Sequence, residues 1–164
     1  MKYVRALISV IILVILDQVT KCLAVKYLMG KDPFPIIKGV FELQYLENRG
    51  MAFGFLQNQK LFFVLMTIVI VALVIYFYAK IPVTGRMLPL RLVCVFIFAG
   101  AIGNFIDRVR QSYVVDFIYF KLIDFPIFNV ADIYVTVSAI VFLVLILFYY
   151  KEEDYSFLNR KGKN

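Results

Sequence analysis

The sequence predicts an all-α membrane protein, a bundle of four transmembrane helices with a small β-element and a loop on the extracytoplasmic face. Of its 164 residues, 63% are hydrophobic, whereas ordinary soluble domains contain about 45–50% apolar residues. Four stretches approach the roughly 20 mostly apolar residues that a helix needs to cross a bilayer. A chain of this length cannot cover so much apolar surface with polar side chains, so most soluble folds are excluded.

The predicted spans form a single integral membrane domain and cover residues 6–28, 61–79, 88–107 and 132–150. The second span carries no charge, and the third has Arg91 near its start. Basic residues precede the first span as they do in a signal peptide. No small-residue cleavage site follows, however, so we predict that this helix is retained.

Basic residues collect before the first span, between the second and third spans, and in the C-terminal tail. By the positive-inside rule these regions are cytoplasmic, which leaves residues 30–60 and 108–131 outside. The first outer segment contains prolines, glycines and a short alternating stretch at residues 40–45, which predicts a small β-element. We attribute the net charge of +7 to contact with the membrane surface, so no nucleic-acid partner is expected.

The chain contains no histidine, which excludes Ser-His and Cys-His nucleophile pairs and argues against the usual zinc sites. Cys22 and Cys94 both lie in apolar runs and match neither a disulfide framework nor a CxxC metal site. We therefore expect no metal and no cofactor.

Ionisable residues at membrane depth usually face the bundle interior or a water-filled cavity. Asp17 and Lys21 are four residues apart, so they share a helix face and can pair. We interpret them first as a structural ion pair that docks the first helix against its neighbours. Asn104, Asp107 and Arg108 lie together at the end of the third span, where they can close the helix.

Two further acids bound the second outer segment. Asp116 has apolar neighbours on both sides, and Asp132 follows Asn129 at the start of the last span. An N-cap at Asn129 explains Asp132 simply, and a turn or cap is the corresponding structural explanation for Asp116. If the two carboxyl groups lie close together in an environment of low dielectric constant, they cannot easily be ionised at the same time. Such a pair can activate water as a general base and protonate a leaving nitrogen as a general acid.

Other chemistries remain as alternatives. Ser112 is the only serine near this outer site, but no lysine lies close to it before Lys121, so a Ser-Lys hydrolase is a weak competitor. A small proton-coupled membrane transporter would use Asp17, Asp116 and Asp132 as a relay. A relay needs acids spread across the bilayer, whereas four acids gather at one edge, namely Asp107, Asp116, Asp124 and Asp132. A structural membrane subunit would leave the polar cluster unexplained.

Five short motifs follow one another along the chain: residues 17–21 (DQVTK), 48–53 (NRGMAF), 100–108 (GAIGNFIDR), 114–117 (VVDF) and 125–132 (FPIFNVAD). Together they resemble the lipoprotein signal peptidases, or type II signal peptidases, which are four-span proteases of the bacterial plasma membrane. The resemblance implies an intramembrane aspartyl endopeptidase that cleaves prolipoproteins just before a diacylglyceryl-modified cysteine. It also implies contact with membrane lipids and cytoplasmic termini, and we expect a monomer.

The resemblance implies that Asp116 and Asp132 are the catalytic pair. The residues that it places around the site, to hold substrate or orient the acids, are Asn48, Asn104, Arg108 and Asn129. The supporting residues that it indicates are Asp17, Lys21, Gly50 and Asp107. We expect the adjacent Arg108 cation to keep Asp107 ionised and structural, because a nearby positive charge favours the carboxylate.

Two positions depart from the family pattern. Met51 replaces the small residue that is more common there, and Ile133 replaces a common serine; both bear on substrate shape rather than on the acids. Three glycines are expected to let the outer segment clamp a peptide, namely Gly39, Gly50 and Gly54. Phe53 and Phe55 are expected either to reach the interface or substrate, or to pack within the membrane.

Overall fold

Four helices contain the apolar stretches of the sequence in the computed structural model, which describes residues 1–50 and 59–158. They are α1 (Lys2–Leu28), α2 (Lys60–Lys80), α3 (Leu88–Gln111) and α4 (Val130–Val144), which continues as a π-helical turn, Leu145–Tyr149. Each is long and apolar enough to cross a membrane. The expectations for Met51, Phe53, Gly54 and Phe55 lie outside the described residues.

A three-stranded antiparallel sheet lies at one end of the bundle, with strand order β1 (Phe34–Ile37), β2 (Phe41–Asn48) and β3 (Val114–Tyr119). Gly39 lies in the turn between β1 and β2 with φ of 78°, a left-handed conformation that glycine adopts without steric cost. The predicted class, a helical membrane protein with a small β-element, is confirmed.

Strand β3 was not anticipated from the sequence. Its first four residues are all buried, so the segment is apolar on both sides of Asp116. It therefore lacks the alternation of apolar and polar residues that indicates a half-buried strand. The sheet therefore joins the two outer segments and places Asp116 on a strand instead of a loop.

Helix α3 is the centre of the bundle, since it packs against α1, α2 and α4. Its close approach to α4 depends on Gly100, where an added Cβ would lie 2.5 Å from the Ala131 carbonyl oxygen and 2.7 Å from Val135 Cγ2. Small residues of this kind let helix backbones approach each other in membranes. One turn further, a Cβ on Gly103 would lie 2.5 Å from Asp17 Oδ2.

We expect Gly100→Ala to destabilise the protein by about 1–3 kcal/mol, because the new methyl group meets backbone of α4 that cannot move aside. The matched control is Gly85→Ala, since a Cβ at Gly85 meets no atom within 4 Å. Thermal unfolding in detergent measures both variants. Equal unfolding midpoints for the two would show that α3 and α4 do not pack this closely.

At the opposite end of the bundle, the C-terminal segment is tied to the loop between α2 and α3. Arg86 donates to Asp154 at 2.7 and 2.6 Å and to the Tyr149 carbonyl at 2.9 Å. The main-chain N–H of Lys151 also donates to Asp154, at 2.9 Å. The Arg86 guanidinium and this N–H lower the pKa of Asp154 to about 2. The pair therefore stays charged throughout the neutral pH range.

Candidate active site

The predicted site residues converge where the sheet meets the ends of α1 and α3 and the start of α4. On α3, Gly100, Gly103, Asn104 and Asp107 have the i, i+3, i+4, i+7 spacing of one helix face, so the glycines make room on the face that carries the polar groups. Asp132 lies in the first turn of α4, directly opposite this face.

Asn129 joins the two acids of the predicted pair. Its side-chain Nδ2 donates to Asp116 Oδ1 at 2.6 Å, and its main-chain N–H donates to Asp132 Oδ2 at 3.1 Å. Its Oδ1 accepts from the Asp132 N–H at 3.0 Å, which completes a capping box at the start of α4. Asn129 is fully buried and Asp116 is 1% exposed. The N-cap and the junction between the acids are therefore the same residue.

Two further asparagines complete the hydrogen bonds of these carboxyl groups. Asn48 Nδ2 donates to Asp116 Oδ2 at 2.8 Å, and Asn104 Nδ2 donates to Asp132 Oδ1 at 2.8 Å. Asn48 reaches Asp116 because Leu46 is paired with Asp116 in the sheet, and residues two apart on a strand share a face. Each of the four carboxyl oxygens thus accepts a hydrogen bond from one N–H donor.

Gly50 orients Asn48, since its N–H donates to Asn48 Oδ1 at 3.0 Å. With the oxygen held in this way, the Nδ2 group of Asn48 faces Asp116. Gly50 therefore contributes to the site through its backbone.

Lys21 is the centre of a buried ion cluster beside the pair. Its Nζ lies 3.0 Å from Asp17 Oδ2 and 2.9 Å from Asp107 Oδ2, and it donates to Asn104 Oδ1 at 2.8 Å. Asp17 is fully buried and Lys21 is 2% exposed. An ammonium group has three donors, so these three acceptors satisfy it without water.

Asp107 forms its ion pair with Lys21 and not with the adjacent Arg108. The cation beside Asp107 is Lys21, while the Arg108 guanidinium lies over the Phe63 ring, 4.6 Å from its centroid. Consecutive residues on a helix point in different directions, so neighbours in sequence do not face each other. The half-buried Arg108 side chain therefore contacts α2 through Phe63 and lies close enough to Asp132, Asp116 and Asp107 to interact with their charges.

Gln18 is a member of the cluster that the sequence interpretation passed over. Its Nε2 lies 3.0 Å from Asp107 Oδ1, 3.2 Å from Asp17 Oδ2 and 3.2 Å from the Gly103 carbonyl. A signal was present, because a side-chain amide within an apolar span needs partners inside the bundle.

Ser112 does have a lysine beside it, contrary to expectation. Lys60 Nζ donates to Ser112 Oγ at 3.1 Å and to the Val109 carbonyl at 3.3 Å, because α2 begins where α3 ends. Lys60 is exposed to solvent and donates to two oxygens, so it is not desolvated. A Ser-Lys hydrolase needs a desolvated lysine as its base, and this pair does not provide one.

The electrostatics of the site favour a proton on Asp116 near neutral pH. Burial, and then the nearby charge of Asp132, raise the pKa of Asp116 to about 7, although hydrogen bonds from Asn48 and Asn129 oppose the shift. Asp132 lies in the first turn of α4, where the helix dipole favours negative charge. The pair can therefore hold one proton near neutral pH, as an acid and a base in one site require.

The acids of the four membrane-spanning helices are not spread along the bundle. Those of α1, α3 and α4 are Asp17, Asp107 and Asp132, and all three lie at the sheet end. Within residues 1–50 and 59–158, no group of three or more His, Cys, Asp or Glu side chains is arranged to hold a metal ion.

The sequence comparisons with known proteins agree on one family. Residues 9–148 match the family model described as signal peptidase (SPase) II. The chain is 49% identical over 144 residues to a lipoprotein signal peptidase of Caldanaerobacter subterraneus subsp. tengcongensis, covering 87% of this chain and 96% of that protein. It is 43% identical over 148 residues to the lipoprotein signal peptidase of Streptococcus pyogenes serotype M1, covering 90% and 94%. A solved structure described as a bacterial membrane enzyme aligns with a TM-score of 0.78 and 31% identity, covering 98% and 93%.

Proposed function

The chain belongs to the signal peptidase II family, as its five motifs predicted, and on this premise we propose that it cleaves prolipoproteins with Asp116 and Asp132 as an aspartic pair. The carrying observation is that the buried Asn129 hydrogen-bonds both carboxyl groups and so holds them in one polar cluster. The family supports the coarser activity, removal of signal peptides from prolipoproteins.

The resting pair holds one proton, on Asp116, and Asp132 is ionised. A water molecule adds to the scissile carbonyl carbon while Asp132 accepts the proton that the water loses. The carbon–nitrogen bond then breaks as Asp116 gives its proton to the leaving nitrogen. The pair again holds one proton, now on Asp132, and its transfer to Asp116 restores the starting state. Neither step needs histidine, metal or cofactor.

The substrate has a peptide part and a lipid part. The peptide part binds at the sheet end of the bundle, where the acids lie, so the scissile amide is held at the membrane surface. The diacylglyceryl chains lie against the apolar, exposed surfaces of the helices; on α2, for example, Thr67 is the only buried residue. We place the protein in the bacterial plasma membrane as a monomer, with both termini cytoplasmic and the sheet outside.

The direct test is incubation of the purified protein with a diacylglyceryl-modified prolipoprotein, followed by mass analysis. We expect two products, one of which begins with the lipid-bearing cysteine. The same substrate without its diacylglyceryl group is the control and should be cleaved far more slowly. An intact lipidated substrate after long incubation would contradict the proposal, and proton-coupled flux in proteoliposomes would favour the transporter instead.

The rate of cleavage should decrease as the pH rises above about 7, the pKa of Asp116. Below this pH Asp116 keeps the proton that the leaving nitrogen needs, and above it Asp116 ionises and the general acid is lost. The measurement is kcat from about pH 5 to about pH 9, with circular dichroism as a control for folding. A rate that stays constant to about pH 9 would show that Asp116 is not the acid.

A further inference from the structure

The buried ion cluster holds two main-chain groups that directly precede the reacting acids. Asp17 Oδ1 accepts a hydrogen bond from the N–H of Ala131 at 2.9 Å, and Ala131 precedes Asp132. Asp107 Oδ2 accepts from the N–H of Val115 at 3.3 Å, and Val115 precedes Asp116. Each carboxylate of the cluster is therefore bound to the backbone that carries one member of the pair.

Lys21 connects these two arms. Its ammonium group contacts Asp17 and Asp107 at 3.0 and 2.9 Å, so it fixes the separation of the two carboxylates. Its third bond, to Asn104 Oδ1, sets the orientation of that amide, whose Nδ2 then faces Asp132. One ammonium group thus links α1, α3, β3 and α4 at the site.

We propose that Asp17, Lys21 and Asp107 are positioning residues of the peptidase, which set the separation and orientation of Asp116 and Asp132 through the main-chain N–H groups of Val115 and Ala131. This inference rests on the proposed function. The three residues do not touch the reacting atoms, and they act through the backbone and through Asn104.

A general stabilising role does not account for the arrangement. Removing ions from water is costly, and apolar residues of similar size often stabilise a buried site equally well. The chain also accommodates this carboxylate specifically, since a Cβ on Gly103 would lie 2.5 Å from Asp17 Oδ2. A displacement of a reacting group by about 1 Å can lower the rate about 100-fold. Holding the two acids in a fixed relative position therefore has a large effect on catalysis.

The decisive comparison is Asp107→Leu against Asp107→Asn. Asparagine keeps an oxygen that can accept from Val115 and Lys21, and Gln18 can rotate its amide to match. Leucine is of similar size and has no acceptor. We expect kcat per folded molecule to decrease about 100-fold in Asp107→Leu and less than about 10-fold in Asp107→Asn, with KM little changed in both.

Asp154→Leu is the matched control. Like Asp107, Asp154 pairs with a cation and accepts a main-chain N–H. Here the cation is Arg86 and the N–H belongs to Lys151, at the other end of the bundle. The Asp154→Leu variant should have a lower unfolding midpoint and an unchanged kcat per folded molecule. This control distinguishes the general effect of losing an ion pair from the specific effect of displacing Asp116 and Asp132 relative to each other.

Each outcome decides between the interpretations. Wild-type kcat per folded molecule in Asp107→Leu would overturn the positioning role, as would equal losses in the leucine and asparagine variants. If Asp107→Leu does not fold, Asp107→Ala replaces it with the same expectation, and failure of both to fold would indicate a purely structural cluster. The wild-type enzyme is measured in parallel, so absence of cleavage there contradicts the proposed function instead.

Discussion

Asp116→Asn and Asp132→Asn are each expected to lower kcat by about 10³-fold or more while the protein still folds and inserts. An asparagine keeps the shape of the side chain but can neither accept a proton from water nor give one to the leaving nitrogen. The loss should be similar for the two variants, because the acid and the base act in the same turnover. The measurement is cleavage of a diacylglyceryl-modified prolipoprotein followed by mass analysis.

Asp124→Asn is the matched control, since Asp124 is an exposed acid of the same outer segment, bound to the Tyr119 hydroxyl at 2.6 Å. It should retain wild-type activity. Circular dichroism and the unfolding midpoint establish that all three variants are folded. If either pair variant kept half of the wild-type rate, Asp116 and Asp132 could not be the acid and base of the reaction.

The site residues that could be predicted from the sequence are those that are energetically costly to place in a membrane. Asp17, Lys21 and Asp107 lie in apolar spans, where an ionisable group needs a partner or a cavity, so their presence indicated a polar interior. Asp116 was conspicuous for the same reason, as a carboxylate among apolar neighbours. The fold class followed from hydrophobic length, which depends on composition more than on packing.

The parts that could not be predicted depend on which elements become neighbours. The pairing of β2 with β3 brings Asn48 to Asp116 across 68 positions of sequence, and no local pattern encodes it. The ion-pair partner of Asp107 is Lys21, which belongs to another helix, whereas the guanidinium of the adjacent Arg108 lies over the Phe63 ring. Lys60 reaches Ser112 only because α2 starts beside the end of α3.

Asn129→Ser is expected to lower kcat about 10- to 100-fold with little change in stability. Serine is a good N-cap, so its hydroxyl can still accept from the Asp132 N–H. It lacks the amide Nδ2 that donates to Asp116 Oδ1 at 2.6 Å, and a buried hydrogen bond to a charged or titrating group is worth about 1.5–3 kcal/mol. Since about 1.4 kcal/mol corresponds to a tenfold change in rate, the expected loss follows.

Asn129→Ala and Asn48→Ser separate the two tasks of Asn129. The alanine variant should also lose about 1 kcal/mol of stability, because the cap of α4 is removed together with the amide. Asn48→Ser removes the other side-chain donor to Asp116 and touches no cap, so it should lower kcat alone. Wild-type kcat in Asn129→Ser would show that Asn129 only caps the helix. In the predicted pattern, Asn129 caps α4 through its Oδ1 atom and hydrogen-bonds Asp116 through its Nδ2 atom. The start of α4 and the position of Asp116 therefore depend on the same amide group.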